Sequence, residues 1–323
     1  MTLQAIVAAL GGDLYDRGRR ANVPAPGHSR ADRSVSLLLS EGRVVAHSFG
    51  GAHWREVLDD LRARALIDTA GTSASVVRAA GGTEAKPPRQ SERLAVARAL
   101  WTNGLPITGG TASARHVAHR HVLRPLPGPD GLRHHPAAPL SVYRPGRAVR
   151  PALMAAVTDR EGGFTAIELT YLSPGGLRAV GLRFPRKTVG LVPAGSAVRL
   201  DPVGPELLVG EGVFTTLSAS ERFALPAWAL LSTGNLRGWR APDGVRRVLI
   251  AADRGRDGLR SAHVLASRLR RSGVTVAVKP PPAPFGDWND AARATAGEGE
   301  GSEGGRGRAG TGGWPSPADA GEP

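Results

Sequence analysis

The chain has 323 residues, 42 basic against 28 acidic, and a formal net charge of +14, with arginine at all but three of the basic positions. It contains no cysteine, which excludes disulfides, thiolate catalysis, iron–sulfur clusters and cysteine-built zinc sites. The charge points to a polyanionic partner, nucleic acid before membrane because no basic amphipathic helix stands out; GC-rich coding would also scatter arginines in this way.

Length sets two or three domains at about 100–200 residues each. No stretch reaches the ~18 uninterrupted apolar residues of a spanning helix. The start, "MTLQAIVAALGGDLYDRG", lacks a basic region ahead of its apolar segment, so no secretory signal is expected. A cytoplasmic protein without a membrane partner is the expectation.

In chain order, residues 1–67 hold a helical start, the strand-like runs "SVSLLLSEG" and "RVVAHSFGG", and the amphipathic "HWREVLDDLRARALI". In the last, Trp54, Val57, Leu58, Leu61 and Leu66 recur at near-helical spacing. Residues 68–90 are small, polar and proline-punctuated and read as a linker. A second segment over 91–203 opens with a helix, Ser91 its expected cap and Leu94, Ala97, Leu100 and Trp101 its apolar stripe. The runs "ALMAAVTD", "FTAIELTYLSPGG" and "SAVRL" then predict an antiparallel sheet.

From 204 to 296 the pattern alternates. "PELLVGEG", "AWALLSTGN", "VRRVLIAAD" and "VTVAVKPP" read as strands, with "VFTTLSASERF" and "DGLRSAHVLASRLRRSG" as helices between them. In the second helix Leu259, Ala262, Leu265, Ala266 and Leu269 share a face. This pitch predicts a small, mostly parallel sheet covered by helices. The tail, 297–323, is too poor in apolar residues to offset the entropy of ordering and is expected to be disordered.

Two carboxylates stand where strands end: Glu211 after "LLVG" and Asp253 after "VLIAA". Open α/β sheets bind ligands outside such ends. Gly210 and Gly212 let the backbone turn sharply around Glu211, and Asp257 and Gly258 follow Asp253 within one turn. Oxygen ligands without histidine or cysteine suit Mg²⁺ or Mn²⁺. Taken singly, each aspartate is equally a helix cap and Glu211 a solvated loop residue. Of nine histidines, His116, His119, His121, His134 and His135 form the densest group, but no fixed ligand spacing joins them.

"VGEGVFTTLS", "LIAADRGRDGLRSA" and "GDWND", in that order, resemble the Toprim domain of phage- and plasmid-type bacterial DNA primases. The resemblance implies a Rossmann-like domain with Glu211 as general acid/base and Asp253 as metal ligand. The family's second aspartate, two residues after the first, is replaced here by Gly255, and Asp257 matches a third acidic position, which the resemblance implies as the source of the missing oxygen. Asp287 and Asp290 are implied as outer metal partners, with a helix cap the rival reading for Asp287. "GGTASARHVAHRH", "LRHHP", "AIELTYLSPGG" and "GSAVRL" resemble the α+β segment preceding Toprim in the same primases. There Arg178, Arg183, Arg186 and Lys187 stand as candidate phosphate contacts, against the reading of a solvated basic face. "APGHSRADRSVSL" and "VVAHSFGGAHW" are similar to the family's zinc ribbon. His28 is kept, but Ala25, Ser48 and Ala52 occupy its cysteine positions, so no zinc is expected, and Arg30, Arg33 and Arg43 are left to meet DNA by charge.

The implied protein is a primase-like nucleotidyltransferase acting on single-stranded DNA with nucleoside triphosphates and Mg²⁺ or Mn²⁺, in DNA replication beside a replicative helicase. Two alternatives stand: a catalytically weakened Toprim protein that only binds nucleic acid, and nuclease-like phosphodiester cleavage. No Walker-type G-x-x-x-x-G-K-[ST] occurs, so no helicase motor is expected within the chain.

Overall fold

A computed structural model describes residues 3–16, 18–30, 32–48, 54–68, 88–182 and 184–299. The chain divides into two compact units, Met1–Lys86 and Pro87–Pro323.

In the first unit, α1 (Leu3–Leu10) precedes an antiparallel sheet of β1 (Asp13–Tyr15), β2 (Arg20–Val23), β3 (Val35–Ser40) and β4 (Arg43–Ser48), in that spatial order, and α2 (Trp54–Ala63) follows. β3 and β4 meet through Glu41 and Gly42, both at positive φ, the backbone a tight two-residue hairpin requires. Leu3, Ile6, Val23, Val35, Leu37 and Leu61 form the core. Val57, Leu58 and Leu61 of α2 are buried as the spacing predicts. Trp54 is instead exposed at the helix start, with Arg55 stacked 4.9 Å from its ring centroid.

The turn carrying Ala25 and His28 is closed by a carboxylate. Asp32 accepts the Ala25 N–H at 3.0 Å, the Ser34 N–H at 3.1 Å and the Ser34 hydroxyl at 2.5 Å, and pairs with His28 Nδ1 at 3.1 Å. Burial pushes the Asp32 carboxyl up, but these bonds and the His28 charge outweigh it and the net shift is down. Its contribution is therefore present above the ordinary aspartate range and is lost as pH falls through it. Asp32→Ala is expected to destabilise this unit by roughly 1–3 kcal/mol, while EDTA leaves its melting temperature unchanged. A chelator-sensitive melt of the wild type would overturn this account of the turn. Ala25 is buried and Ser48 half-buried; Ala52 lies outside the described residues.

The second unit opens with α3 (Gln90–Thr102) and α4 (Ala112–His119). Ser91 does not cap α3: Glu92 reaches back to the Arg89 N–H at 2.9 Å, placing Ser91 inside the first turn. Thr111 caps α4 by accepting the Ala114 N–H. β5 (Leu132–Pro139), β6 (Val149–Thr158), β7 (Phe164–Tyr171) and β8 (Arg186–Gly190) form an antiparallel sheet in chain order. α3 packs on it through Ala97 and Leu100 against Met154, Ile167, Leu169 and Tyr171.

β9 (Val198–Arg199), β10 (Glu206–Gly210), α5 (Val213–Phe223), β11 (Ala227–Ala229), α6 (Thr233–Gly238), β12 (Arg247–Ala251), α7 (Arg256–Arg271), β13 (Thr275–Lys279) and α8 (Trp288–Gly299) complete the unit. Their sheet runs β13-β12-β10-β11-β9, parallel except for β9. "SAVRL" therefore gives β9 to this second sheet, antiparallel to β11, rather than a strand to the first. "AWALLSTGN" is a strand only to Ala229. Leu231 turns at positive φ and Ser232 caps α6 by accepting the Asn235 N–H at 3.2 Å. One sheet face packs Leu207, Val209, Val248 and Ile250 on α6 and α7, the other Leu208 and Leu249 on α5. Ala262, Leu265, Ala266 and Leu269 of α7 are buried and Leu259 packs beside them. α8 carries helix to Gly299, past the expected start of the tail; residues 300–323 lie outside those described.

Candidate functional site

The chain runs from β10 to its neighbour β11 on one side and then crosses to β12 on the other. Connections that leave one strand in opposite directions open a crevice at its carboxyl end. Glu211 follows Gly210, the last residue of β10, and Asp253 lies just past Ala251, which ends β12 and is the register partner of Gly210. The sheet thus delivers both carboxylates to one edge. A Cβ on Gly210 would stand 2.5 Å from Thr216 Oγ1, and one on Gly258 2.7 Å from the Asp253 carbonyl oxygen. Both close approaches need glycine. Gly212 is the N-cap residue of α5.

A cavity of about 230 Å³ lies over this edge, walled by Glu211, Asp253 and Asp287 on one side. The antiparallel half supplies Glu168 and Thr170 from β7, Arg178 and Arg186 around β8, and His116 and Arg120 from the end of α4. Burial pushes the Glu211 carboxyl up to about 7; the charges of Asp253 and Asp257 add to the rise, and Arg186 and the Thr233 amide oppose it. Burial likewise lifts Asp253 to about 6, helped by Asp287 and Asp290. Glu168 is also raised by burial, against the pull of Arg186, 3.9 Å away, and Arg178.

Burial drives the His116 imidazole down to about 4, against its hydrogen bond to the Gly176 carbonyl. That carbonyl, 2.7 Å from Nδ1, only accepts, so Nδ1 carries the proton and Nε2 the lone pair. The imidazole meets the Phe214 ring edge-on at 5.0 Å, and the Arg120 guanidinium covers the Phe214 ring at 5.2 Å. The site therefore pairs acidic strand ends with three arginines and a neutral histidine.

Glu211, Asp253, Asp287, Arg178 and Arg186 share this cavity. Asp287 also fills the rival role, its Oδ1 accepting the Asn289 and Asp290 N–H groups at 2.8 Å to cap α8. Asp290 sits in that first turn and acts on Asp253 through its charge. Asp257 stands in the first turn of α7, bonded to Arg237 at 2.9 Å. Lys187 points to the other face of its strand, donating to the Leu140 carbonyl with its Nζ 5.4 Å from the Tyr171 centroid. Arg183 lies outside the described residues. In the first unit, Arg43 is exposed, Arg30 donates to the Ala9 carbonyl at 3.3 Å, and Arg33 pairs with Asp13 at 2.8 Å.

Glu168 of the wall, and Arg254 and Asn289 behind it, escaped sequence reasoning. Glu168 had a signal: a carboxylate at a period-2 position inside "AIELTY", where a solvated face was not expected. Arg254 and Asn289 had none. Arg254 donates through its N–H to the Gly286 carbonyl at 2.8 Å and through Nε to the Phe285 carbonyl at 3.2 Å, drawing Asp287 towards Asp253. Asn289, fully buried, bonds the Arg120 carbonyl at 2.6 Å and Ser218 Oγ at 2.9 Å.

Among the described residues no three acidic or histidine side chains gather at metal-binding spacing. Asp253 Oδ1, however, is buried with no hydrogen-bond partner, a state that calls for an unseen ion or water. Mg²⁺ commonly takes one or two protein carboxylates and completes its shell with water and substrate phosphate. The donor set fits a hard cation shared with a phosphate-bearing substrate.

No curated protein matches the chain in sequence. Among solved structures it is similar to the primase fragment of the bacteriophage T7 primase-helicase, at 14% identity and TM-score 0.39, covering 69% of this chain and 80% of that one. It is also similar to the zinc-binding and RNA polymerase domains of the Aquifex aeolicus primase, at 11% identity and TM-score 0.44, covering 93% and 81%. A third likeness is to the DnaG primase catalytic domain bound to single-stranded DNA, at 14% identity and TM-score 0.41, covering 65% and 80%. Residues 91–200 match a family model described as a domain of unknown function, DUF7146. Residues 206–298, the segment holding both strand-end carboxylates and α8, match the model of the Toprim domain. Residues 206–298 are a Toprim domain.

Proposed function

We propose that the protein is a primase-like nucleotidyltransferase that joins nucleotides on a single-stranded DNA template, with residues 91–203 and 204–296 as the two walls of its active site. The observation that carries this reading is the unpartnered Asp253 Oδ1 beside a Glu211 raised to about 7, in one cavity with Arg120, Arg178 and Arg186. Asp253 would hold Mg²⁺ or Mn²⁺, which supplies charge neutralisation at the transferring phosphate.

The residues supply the rest. The arginines bind and orient the triphosphate through bidentate contacts. Glu211, half-ionised near neutral pH, takes the proton of the attacking 3′-hydroxyl at its carboxylate oxygen. The new bond joins the 3′-oxygen to the α-phosphorus, and the bond from that phosphorus to the leaving pyrophosphate breaks. Phe214 and the neutral His116 give the cavity an uncharged pair of rings beneath the Arg120 guanidinium.

A second reading has its own support. Gly255 stands where the resemblance expects an aspartate, and Asp257 is engaged by Arg237, so a Toprim protein that binds DNA without synthesis fits the same residues. Nucleotide incorporation on single-stranded DNA with Mn²⁺ or Mg²⁺ separates them. Incorporation by the wild type supports the nucleotidyltransferase. Binding without incorporation supports the binder, and metal-dependent cutting of the strand without nucleotides points to nuclease chemistry.

A further inference from the structure

A second basic surface lies at the opposite end of the Toprim sheet. The turns Pro242–Val245 and Ser272–Val274 precede β12 and β13, so they sit at the amino ends of the parallel strands, whereas Glu211 and Asp253 sit at the carboxyl ends. Between the two turns runs an open groove of about 540 Å³, to which Arg160, Arg240, Arg268 and Arg271 contribute and Asp243 is the one carboxylate in the lining.

Helix C-termini attract arginines for a local reason, because their carbonyls carry partial negative charge. That accounts for Arg268, which donates to the Arg237 and Trp239 carbonyls at the end of α6. It does not account for Arg160 and Arg240, and it occupies Arg271 only weakly. Arg240 and Arg271 are exposed, Arg271 in the last turn of α7 makes only a long 3.4 Å bond from Nε to the Ser267 carbonyl, and Arg160 reaches the groove from the β6–β7 turn. Among the described residues, the ion pairs lie elsewhere and none engages Arg160, Arg240 or Arg271.

We infer that this groove is a second binding track for the sugar–phosphate backbone of single-stranded DNA, remote from the active-site crevice. The three guanidiniums come from separate elements around a space larger than one phosphate needs, which suits a chain of phosphates over a single anion. Trp239, the aromatic residue of the lining, is only 2% exposed, so no ring is offered for base stacking and the track reads charge, not sequence. It would hold a strand on the protein while the crevice releases and re-engages its end.

The inference rests on the nucleic-acid reading, and one experiment separates the two. Anisotropy of labelled oligo-dT is measured on the full chain across a salt series for wild type and Arg240→Glu/Arg271→Glu. The double variant is expected to bind about tenfold more weakly and to lose roughly 1.4 from the magnitude of its log–log salt slope, two phosphate contacts at ~0.7 each. Wild-type binding with unchanged affinity and slope in the variant overturns the groove and leaves the crevice reading standing. A wild type that fails to bind overturns both. If the reversed charges lower the melting temperature, Arg240→Gln/Arg271→Gln decides by the same slope change, since both side chains are exposed and their neutral forms keep the fold.

Discussion

Glu211→Gln is expected to slow nucleotide incorporation by about 10²–10⁴-fold, the usual worth of a positioned proton acceptor, and at the same time to stabilise the metal-free protein at pH 8. The two effects share one cause. Burial raises the Glu211 carboxyl from 4.5 to about 7, so the folded state prefers the protonated acid. A raised acid contributes stability that is complete below its unfolded value and is lost as pH rises through the folded one. The wild type should therefore lose stability between about pH 4.5 and 7, with Asp253 adding a loss between its ordinary 3.8 and about 6. Glutamine carries no charge to desolvate, so the variant should exceed wild type at pH 8 by on the order of 2 kcal/mol and match it near pH 4. Melting curves in EDTA across this range check the sign. A Gln variant that is less stable at pH 8 would show that Glu211 is held by partners rather than strained by burial. Added Mn²⁺ should raise the wild-type melting temperature at pH 8, and Asp253→Asn should remove that rise.

This conflict between stability and chemistry explains which parts of the site were legible in the sequence. Glu211 and Asp253 announce themselves because each interrupts an apolar run at a position where a strand must end, and the glycines around them mark a backbone that turns sharply or passes close to its neighbours. The parallel sheet was legible for the same reason: strand-length apolar runs alternate with the 3.6-residue stripe that places Ala262, Leu265, Ala266 and Leu269 on one buried face. β5 was not, because prolines and paired histidines break its alternation, and the structure accommodates them with an irregularity between His135 and Ala138. The sheet that β9 joins is not legible either, because two strand residues fix no partner. Their pairing with β11 is decided by long-range contact that local sequence does not encode.

The cavity's second wall was legible only in part. His116 and Arg120 belong to a helix whose register is set by the Thr111 cap, and His116 is fixed by a carbonyl sixty residues away in sequence. Gly176 permits that contact: it has φ +87, and a Cβ there would stand 2.5 Å from Arg115 Cβ. Spacing along the chain shows neither relation. Lys187 fails for the opposite reason. It neighbours Arg186 in sequence, but strand pleating sends adjacent side chains to opposite faces, so only Arg186 reaches the cavity.

Gly255→Asp should strengthen divalent-metal binding by roughly tenfold or more, since affinity for hard cations follows the number and charge of oxygen ligands. The position is open to the change. Gly255 lies at φ −61 and ψ 151 as the N-cap residue of α7, and a Cβ there meets nothing within 4 Å. Aspartate is also the better cap, by a few tenths of a kcal/mol over glycine, so the fold should tolerate it with a small gain. Asp257 cannot substitute while Arg237 engages it; the new carboxylate, two residues beyond Asp253, has no such rival. Mn²⁺ titration followed by calorimetry should show the tighter binding, and incorporation at limiting Mg²⁺ should rise with it. Tighter metal with no gain in synthesis would place the lost activity beyond the metal shell and favour the binder. Unchanged metal affinity would show that Gly255 does not face the ion, and that Asp253 holds it with substrate and water alone.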